Sequence, residues 1–181
     1  MKLGIHAYAW CSQWSNDTLD LIDRVSDLGL DFIEIPLMCL ETFDAAAIKE
    51  RLDKVGLGAV TSTVLLGDTD ITSDDPDHRA KGVKYLEDCV RATAAIGGTS
   101  FSGVIYSQHP GQLPVRPGAM RMERSADGLR PAAKLAGDLG VLVGIEPVNR
   151  YETYLVNTCE QARHLKDLID EPAMRIHLDT Y

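Results

Sequence analysis

The sequence predicts an α/β fold in which parallel strands alternate with crossover helices. Two hydrophobic patterns alternate along its 181 residues. Short apolar runs are typical of buried strands, and apolar residues three or four positions apart are typical of amphipathic helices. Such alternation favours a parallel sheet, either open and doubly wound or closed into a (β/α)₈ barrel. Polar and aromatic residues gather just after the strands, and this third observation favours the barrel.

Six short runs are predicted as strands because each is apolar or β-branched and is bounded by turn residues. They are residues 3–9, 32–36, 59–66, 101–105, 141–145 and 174–179. Five amphipathic segments between them are predicted as helices, and glycines such as Gly29 and Gly97 end two of them. The apolar residues that mark the helices are Leu21, Val25 and Leu28; Ile48, Leu52 and Val55; Val83, Leu86 and Val90; Leu129, Ala132, Ala136 and Leu139; and Ala162, Leu165 and Ile169.

The loops after the strands decide between the two architectures. The segment "HAYAWCSQWS" after the first strand matches neither the GxGxxG nor the GxxxxGK[ST] phosphate-binding pattern, and "GLGAV" at 56–60 precedes a strand instead of following one. Candidate functional residues instead stand at strand ends: Trp10, Trp14, Glu34, His109, Glu146 and Asp179. We therefore predict a parallel (β/α)₈ TIM barrel.

The length indicates how much of that barrel the chain supplies. A typical barrel has about 250 residues, so 181 residues account for the first six strands and five helices. We expect one partial, truncated TIM-barrel domain over residues 1–181, without the C-terminal portion of the barrel and with an open edge at the sixth strand.

Composition and charge exclude several classes of partner. The formal net charge is −9, whereas nucleic acids and anionic membranes require a basic surface, so we expect neither as a partner. No apolar run reaches the roughly 18 residues that span a bilayer, and "MKLGIHAYAW" does not read as a signal peptide. The four cysteines are scattered without CxxC spacing and are expected to be reduced packing thiols. These features predict a cytoplasmic location.

The end of the fifth strand carries an unusual residue for a buried segment. In "IEPVNRYETY" the apolar run stops at a carboxylate, Glu146, followed by a cluster of polar and aromatic residues. The longer stretch "IEPVNRYETYLVNT", together with "IHLDTY" at the sixth strand, resembles the xylose-isomerase-like sugar epimerases and isomerases. The resemblance is strongest to the D-tagatose/D-psicose 3-epimerases and extends to "GIHAYAWCSQW" and "LGLDFIEI".

This resemblance implies an isomerase that contains a divalent metal ion, Mn²⁺ first, with Mg²⁺ or Co²⁺ as alternatives. The family holds the metal with a glutamate, an aspartate, a histidine and a second glutamate; the first two match Glu146 and Asp179, and the other two would lie beyond Tyr181. It also implies a small sugar as substrate and a homodimer or homotetramer.

The implied reaction agrees with the residue types. Moving the C3 proton of a ketose through an enediolate requires a base beside that carbon and positive charge near the carbonyl oxygen. By resemblance Glu146 is one carboxylate of the catalytic pair, and Glu152 hydrogen-bonds substrate hydroxyls. Trp14, His6 and His109 are further candidates for substrate binding, although His6 stands where the family often has an aromatic residue.

Structural explanations compete with each assignment. Glu146 is also consistent with an ion pair to Arg150, which we otherwise expect to order the carboxylates, and Asp179 is consistent with a helix N-cap. Glu152 is consistent with a loop carboxylate, the tryptophans with barrel packing, and His6 with a satisfied core histidine.

The leading function is therefore a metal-dependent ketose 3-epimerase. One alternative is an isomerase or dehydratase on the same scaffold that acts on a related sugar, polyol or hydroxypyruvate-type keto acid. Another is an endonuclease of the same superfamily, which the acidic net charge disfavours. The third is a catalytically inactive fragment.

Overall fold

A computed structural model describes residues 1–111 and 119–180. The described residues form one six-stranded, wholly parallel sheet in which every strand pairs with its neighbours in the chain, in the order β1-β2-β3-β4-β5-β6. The strands are β1 Gly4–His6, β2 Phe32–Pro36, β3 Gly58–Leu65, β4 Ser100–Gln108, β5 Leu142–Ile145 and β6 Met174–Ile176. The helices are α1 Asp20–Asp27, α2 Ala45–Val55, α3 Pro76–Ala95, α4 Ala119–Leu139 and α5 Cys159–Ile169. The predicted alternation and parallel topology are confirmed.

Three strands end three residues away from their predicted ends. β1 stops at His6 because residues Ala7–Ala9 turn into a 3₁₀ helix, and the His6 side chain caps that turn by accepting a hydrogen bond from the Tyr8 amide. β4 continues to Gln108, three residues beyond its predicted end at Ile105. β6 stops at Ile176, so Asp179 lies in the loop after the strand.

The helices begin at recognisable caps. Asp44, Asp75 and Thr158 each accept a hydrogen bond from a first-turn amide of α2, α3 and α5 respectively. At the end of α2, Gly56 adopts φ +69°, a left-handed conformation that glycine tolerates best. These local signals fix where each crossover helix starts and stops, and hence where the loops at the strand ends lie.

Apolar side chains pack in two clusters. The larger lies mainly between β3–β6 and helices α3–α5, and the smaller joins β1 and β2 to α1 and α2. Most of the apolar residues predicted to face the core do so, but Leu28 and Leu139 are exposed. Leu28 follows the last residue of α1 and Leu139 is the last residue of α4, so both lie where the helical face ends.

Because all six strands are parallel, their carboxyl ends lie along the same edge of the sheet. The loops that follow them therefore surround a common region, which is where candidate functional residues were predicted. In the part of the chain that the structure describes, every helix is too short or too polar to cross a membrane.

Candidate active site

A cavity of about 350 Å³ opens at the carboxyl ends of the strands. Its polar side chains stand on five of the six strands or shortly after them: His6, Tyr8, Glu34, Ser62, Thr63, Glu146, His177 and Asp179. Between these side chains, β4 contributes Gly103. The volume lies at the lower end of the range for small-molecule sites, about 300–1,000 Å³, so the cavity suits a small ligand.

Glu146 directly follows β5 and extends the sheet by one residue. Its amide donates a hydrogen bond to the Gly103 carbonyl at 3.2 Å, which fixes the backbone, and its side chain is 17% exposed. Burial raises the pKa of Glu146; the carboxylates of Asp179 and Glu34 raise it further, while the His177 imidazole acts in the opposite direction. A negative charge on Glu146 is therefore costly without a nearby cation.

Asp179 and His177 complete this side of the cavity. The Asp179 and Glu146 carboxyl groups are close enough to share a hydrogen bond, and His177 Nδ1 lies 3.9 Å from Glu146 Oε2. Among the described residues, His177 Nδ1 is buried and has no hydrogen-bond partner. His177 was missed as a candidate, although it stands two residues before Asp179 in "IHLDTY" and directly follows β6.

The two carboxylates fit part of a site for a hard divalent cation. Glu146 and Asp179 converge from neighbouring strands, and a cation between them would offset their mutual repulsion while accepting oxygen ligands. Within residues 1–111 and 119–180, no group of three or more His, Cys, Asp or Glu side chains is arranged to hold a metal. Glu146 and Asp179 are the two residues that the resemblance matched to metal ligands, and their role in binding a metal stays a prediction.

His6 lines the cavity and has defined partners, while its predicted contact with substrate stays a prediction. Its Nε2 is 3.2 Å from Ser62 Oγ and 3.7 Å from Glu34 Oε1, and its Nδ1 accepts the Tyr8 amide at 3.0 Å. Burial lowers the pKa of His6, although the nearby Glu34 carboxylate raises it. Glu34, which the sequence offered only as a strand-end candidate, therefore shares the cavity with His6.

His109 and Glu152 come together in the loops after β4 and β5. His109 Nε2 lies 3.2 Å from Glu152 Oε2, and Asn149 Nδ2 donates to Glu152 Oε1 at 2.6 Å. The Gly111 amide donates to the Glu152 carbonyl at 2.9 Å, which ties the two loops together. Neither His109 nor Glu152 is part of the cavity lining formed by the described residues, so their contact with substrate stays a prediction.

The remaining candidates are placed differently from the cavity residues. Trp14 is 5% exposed and packs in the smaller core cluster, which is the packing role that the sequence left open. Its contact with a sugar stays a prediction. Trp10 packs against that cluster, with the Arg24 guanidinium 4.7 Å from its ring centre. Arg150 lies 5.3 Å from the Tyr151 ring centre, and no ion pair to Glu146 is found in the described part of the chain.

The fold and the cavity together define an α/β protein of the parallel-barrel class, with a small-ligand site at the carboxyl ends of its strands. The chain belongs to the xylose isomerase-like TIM barrel family, whose model matches residues 22–181. The resemblance found in the sequence is thereby confirmed.

Several known proteins are similar to this chain over nearly its whole length. The ketose 3-epimerase of Arthrobacter globiformis is 35% identical over 100% of this chain and 63% of its own length. The L-ribulose 3-epimerase of Mesorhizobium japonicum is 30% identical over 99% of this chain and 61% of its own. The crystal structure of D-allulose 3-epimerase from Methylomonas sp. in complex with D-allulose superposes with a TM-score of 0.94, at 34% identity over 100% of this chain and 63% of that one. The chain thus spans about 63% of the length of such relatives.

Proposed function

We propose that the protein to which these residues belong is a metal-dependent ketose 3-epimerase, and that residues 1–181 form one partial barrel domain carrying part of its active site. The observation that carries the proposal is the convergence of Glu146 and Asp179 in a cavity at the strand ends. Relatives named as ketose, L-ribulose and D-psicose 3-epimerases align over the whole chain and support the same reaction.

The cavity favours a neutral monosaccharide. Its lining holds three carboxyl side chains, Glu34, Glu146 and Asp179, and within the described residues it holds no lysine or arginine. A sugar phosphate would meet like charge here without a cationic side chain to bind it, whereas hydroxyl groups match the hydrogen-bonding lining.

In the proposed reaction Glu146 acts as a general base at C3 of the ketose. Its carboxylate takes the C3 proton, and the electron pair of that C–H bond moves toward the C2 carbonyl to give an enediolate. Return of a proton to the opposite face inverts C3 and requires a second carboxylate, which we place outside residues 1–181.

The proposed cofactor would be held by Glu146 and Asp179 on this chain. When bound, a divalent cation, Mn²⁺ by resemblance with Mg²⁺ or Co²⁺ as alternatives, supplies positive charge near the substrate oxygens as the enediolate forms. We further propose that Glu152, His109, His6 and Trp14 contribute to substrate binding, and that the protein assembles as a homodimer or homotetramer.

A second candidate is epimerisation at a different carbon of a keto sugar. It is favoured by one relative, the 3-dehydro-D-guloside 4-epimerase of Escherichia coli, which is 27% identical over 90% of this chain. The same base and cation would serve at C4 if the sugar carried its carbonyl at C3.

Turnover of a substrate panel tests both candidates. The complete gene product is incubated with D-psicose, D-tagatose, L-ribulose and a 3-keto glycoside, after chelation and after addition of Mn²⁺. We expect interconversion of C3 epimers of the free ketoses, restored by Mn²⁺. Turnover of the 3-keto glycoside alone would favour the 4-epimerase, and a lack of turnover with every sugar would overturn the proposal.

A further inference from the structure

One wall of the cavity is built by His6, Glu34 and Ser62, which stand on the adjacent strands β1, β2 and β3. His6 and Glu34 are direct register partners. We call these three residues the recognition wall. In an eight-stranded barrel, strands four positions apart face each other across the axis, so the recognition wall lies across the cavity from Glu146 on β5 and Asp179 after β6.

The proton positions on the recognition wall follow from its hydrogen bonds. The Tyr8 amide donates to His6 Nδ1 at 3.0 Å, so in the neutral imidazole the proton is on Nε2. Nε2–H then donates to Ser62 Oγ at 3.2 Å. Burial favours this neutral form, because it lowers the pKa of His6, while Glu34 opposes the shift.

This arrangement presents one donor and one acceptor to the cavity. Ser62 Oγ accepts a hydrogen bond from His6, so the Ser62 hydroxyl proton points away from His6. Among the described residues no acceptor for this proton is found. Glu34 Oε1 is 3.7 Å from His6 Nε2, which is too long for a hydrogen bond, so its carboxyl oxygens are available to a ligand. A sugar hydroxyl both donates and accepts, and it therefore matches the pair.

Between the two sides of the cavity, β4 presents a glycine that packs closely against the backbone of β3. Gly103 on β4 lines the cavity and adopts φ +132°, and a Cβ at this position would lie 2.1 Å from the Thr63 carbonyl oxygen. In the proposed binding mode, with the C1–C3 region of the ketose at Glu146, the remaining carbons extend across Gly103 toward the recognition wall.

We infer that the recognition wall binds a hydroxyl group on C4, C5 or C6 of the ketose and selects substrates hydroxylated at that position. The inference rests on the proposed function, because it takes Glu146 as the site of reaction. It assigns Glu34 and Ser62 to substrate recognition and gives His6 a specific task, which is to hold Ser62 as an acceptor so that the Ser62 hydroxyl donates to the sugar.

This inference is tested by removing protein side chains and substrate hydroxyl groups, each alone and both together, and comparing the losses in kcat/KM. The complete gene product and its Ser62→Ala and His6→Phe variants are assayed with the best ketohexose and with its 4-deoxy, 5-deoxy and 6-deoxy analogues. Each variant should lower kcat/KM for the parent sugar by roughly five- to tenfold, as expected for the loss of a hydrogen bond between neutral groups. With the analogue that lacks the contacted hydroxyl, this loss should shrink to less than about threefold.

Two further variants sharpen the comparison. Ser102 is the register partner of Ser62 but lines a neighbouring cavity nearer the amino ends of the strands, so Ser102→Ala is the matched control and should leave the ratio of parent to deoxy sugar unchanged. His6→Gln retains a donor and should recover part of the activity lost in His6→Phe. Equal losses for the parent and all three analogues would overturn the inference.

A failure of the proposed function can be distinguished from a failure of the recognition wall. If the unmodified complete protein turns over none of the ketoses, the proposed reaction is wrong, and the same variants and sugars are then compared by titration calorimetry of sugar binding. Loss of the parent sugar's binding advantage over one deoxy analogue in Ser62→Ala would still support the recognition wall, whereas an unchanged advantage over all three would overturn it.

Discussion

His109 and Glu152 meet side chain to side chain across 43 residues of sequence, with His109 Nε2 3.2 Å from Glu152 Oε2. The other carboxyl oxygen, Glu152 Oε1, accepts a hydrogen bond from Asn149 Nδ2 at 2.6 Å. The two carboxyl oxygens of Glu152 therefore have partners from two loops, His109 after β4 and Asn149 after β5. These two contacts hold the carboxylate in one orientation. This arrangement gives His109 a positioning role toward a residue that we propose to contact the sugar.

The first prediction follows from this contact. His109→Ala should raise KM for the ketose about three- to tenfold with a smaller effect on kcat, because Glu152 loses one of the groups that orient it. Steady-state kinetics of His109→Ala, Glu152→Gln and the double variant measure the coupling. The double variant should be little worse than Glu152→Gln alone; losses that simply multiply would show that the two residues act independently.

The second prediction concerns the metal. Asp179→Ala should lower both the metal content of the purified complete protein and its turnover, because water is a poor substitute for a charged oxygen ligand. Metal analysis and an activity assay measure the two quantities on one sample. Asp53→Ala removes an exposed carboxylate that pairs with Lys49 on the outer helix α2, and it should change neither quantity. An unchanged metal stoichiometry in Asp179→Ala would exclude it as a ligand.

The third prediction concerns Gly103 in the cavity lining. Gly103→Ala should reduce the free energy of unfolding by at least about 2 kcal/mol, since it adds a Cβ 2.1 Å from a carbonyl oxygen at a backbone conformation with φ +132°. Gly137 is exposed in α4, and a Cβ there would lie 3.8 Å from its nearest neighbour. Gly137→Ala should therefore be neutral or stabilising by up to about 1 kcal/mol. Urea unfolding of both variants checks the contrast, and equal stabilities would show that the clash at Gly103 is relieved at little cost.

The fourth prediction concerns the edges of the sheet. Within the described residues, β1 and β6 each pair on one side only, so they expose unpaired backbone groups that can recruit another chain. The polypeptide of residues 1–181, produced alone, should associate or aggregate and show no epimerase turnover. Sedimentation velocity measures the association, and an active, well-behaved monomer would contradict this prediction.

Much of the fold was predictable because local signals agree with the final structure. The period of the apolar residues separated strands from helices, and the lack of phosphate-binding glycine loops correctly favoured a barrel. The boundaries were harder to predict. The run from Leu3 to Ala9 is apolar apart from His6 and the Tyr8 hydroxyl, but the hydrogen bond from the Tyr8 amide to His6 ends the strand and starts a 3₁₀ turn. Apolar spacing carries no information on such a contact.

The site was predictable only in part. Glu146 and Asp179 stood out because a carboxylate at the end of an apolar strand is uncommon, and the structure brings both into one cavity. His177 was missed because a single histidine beside a strand has many structural explanations. The place of Ser62 and Gly103 in the cavity lining depends on the register of neighbouring strands, which the sequence of one strand does not reveal.

The base assigned to Glu146 is tested most directly by isotope exchange at C3. The complete gene product is incubated with its ketose in D₂O, and incorporation of deuterium at C3 is followed by NMR for the unmodified protein, for Glu146→Gln and for Glu50→Gln, an exposed control on α2. We expect exchange in the unmodified and control proteins and a loss of at least about one-hundredfold in Glu146→Gln, with its folded structure retained by circular dichroism. Near-normal exchange and turnover in Glu146→Gln would contradict the assignment of Glu146 as the base.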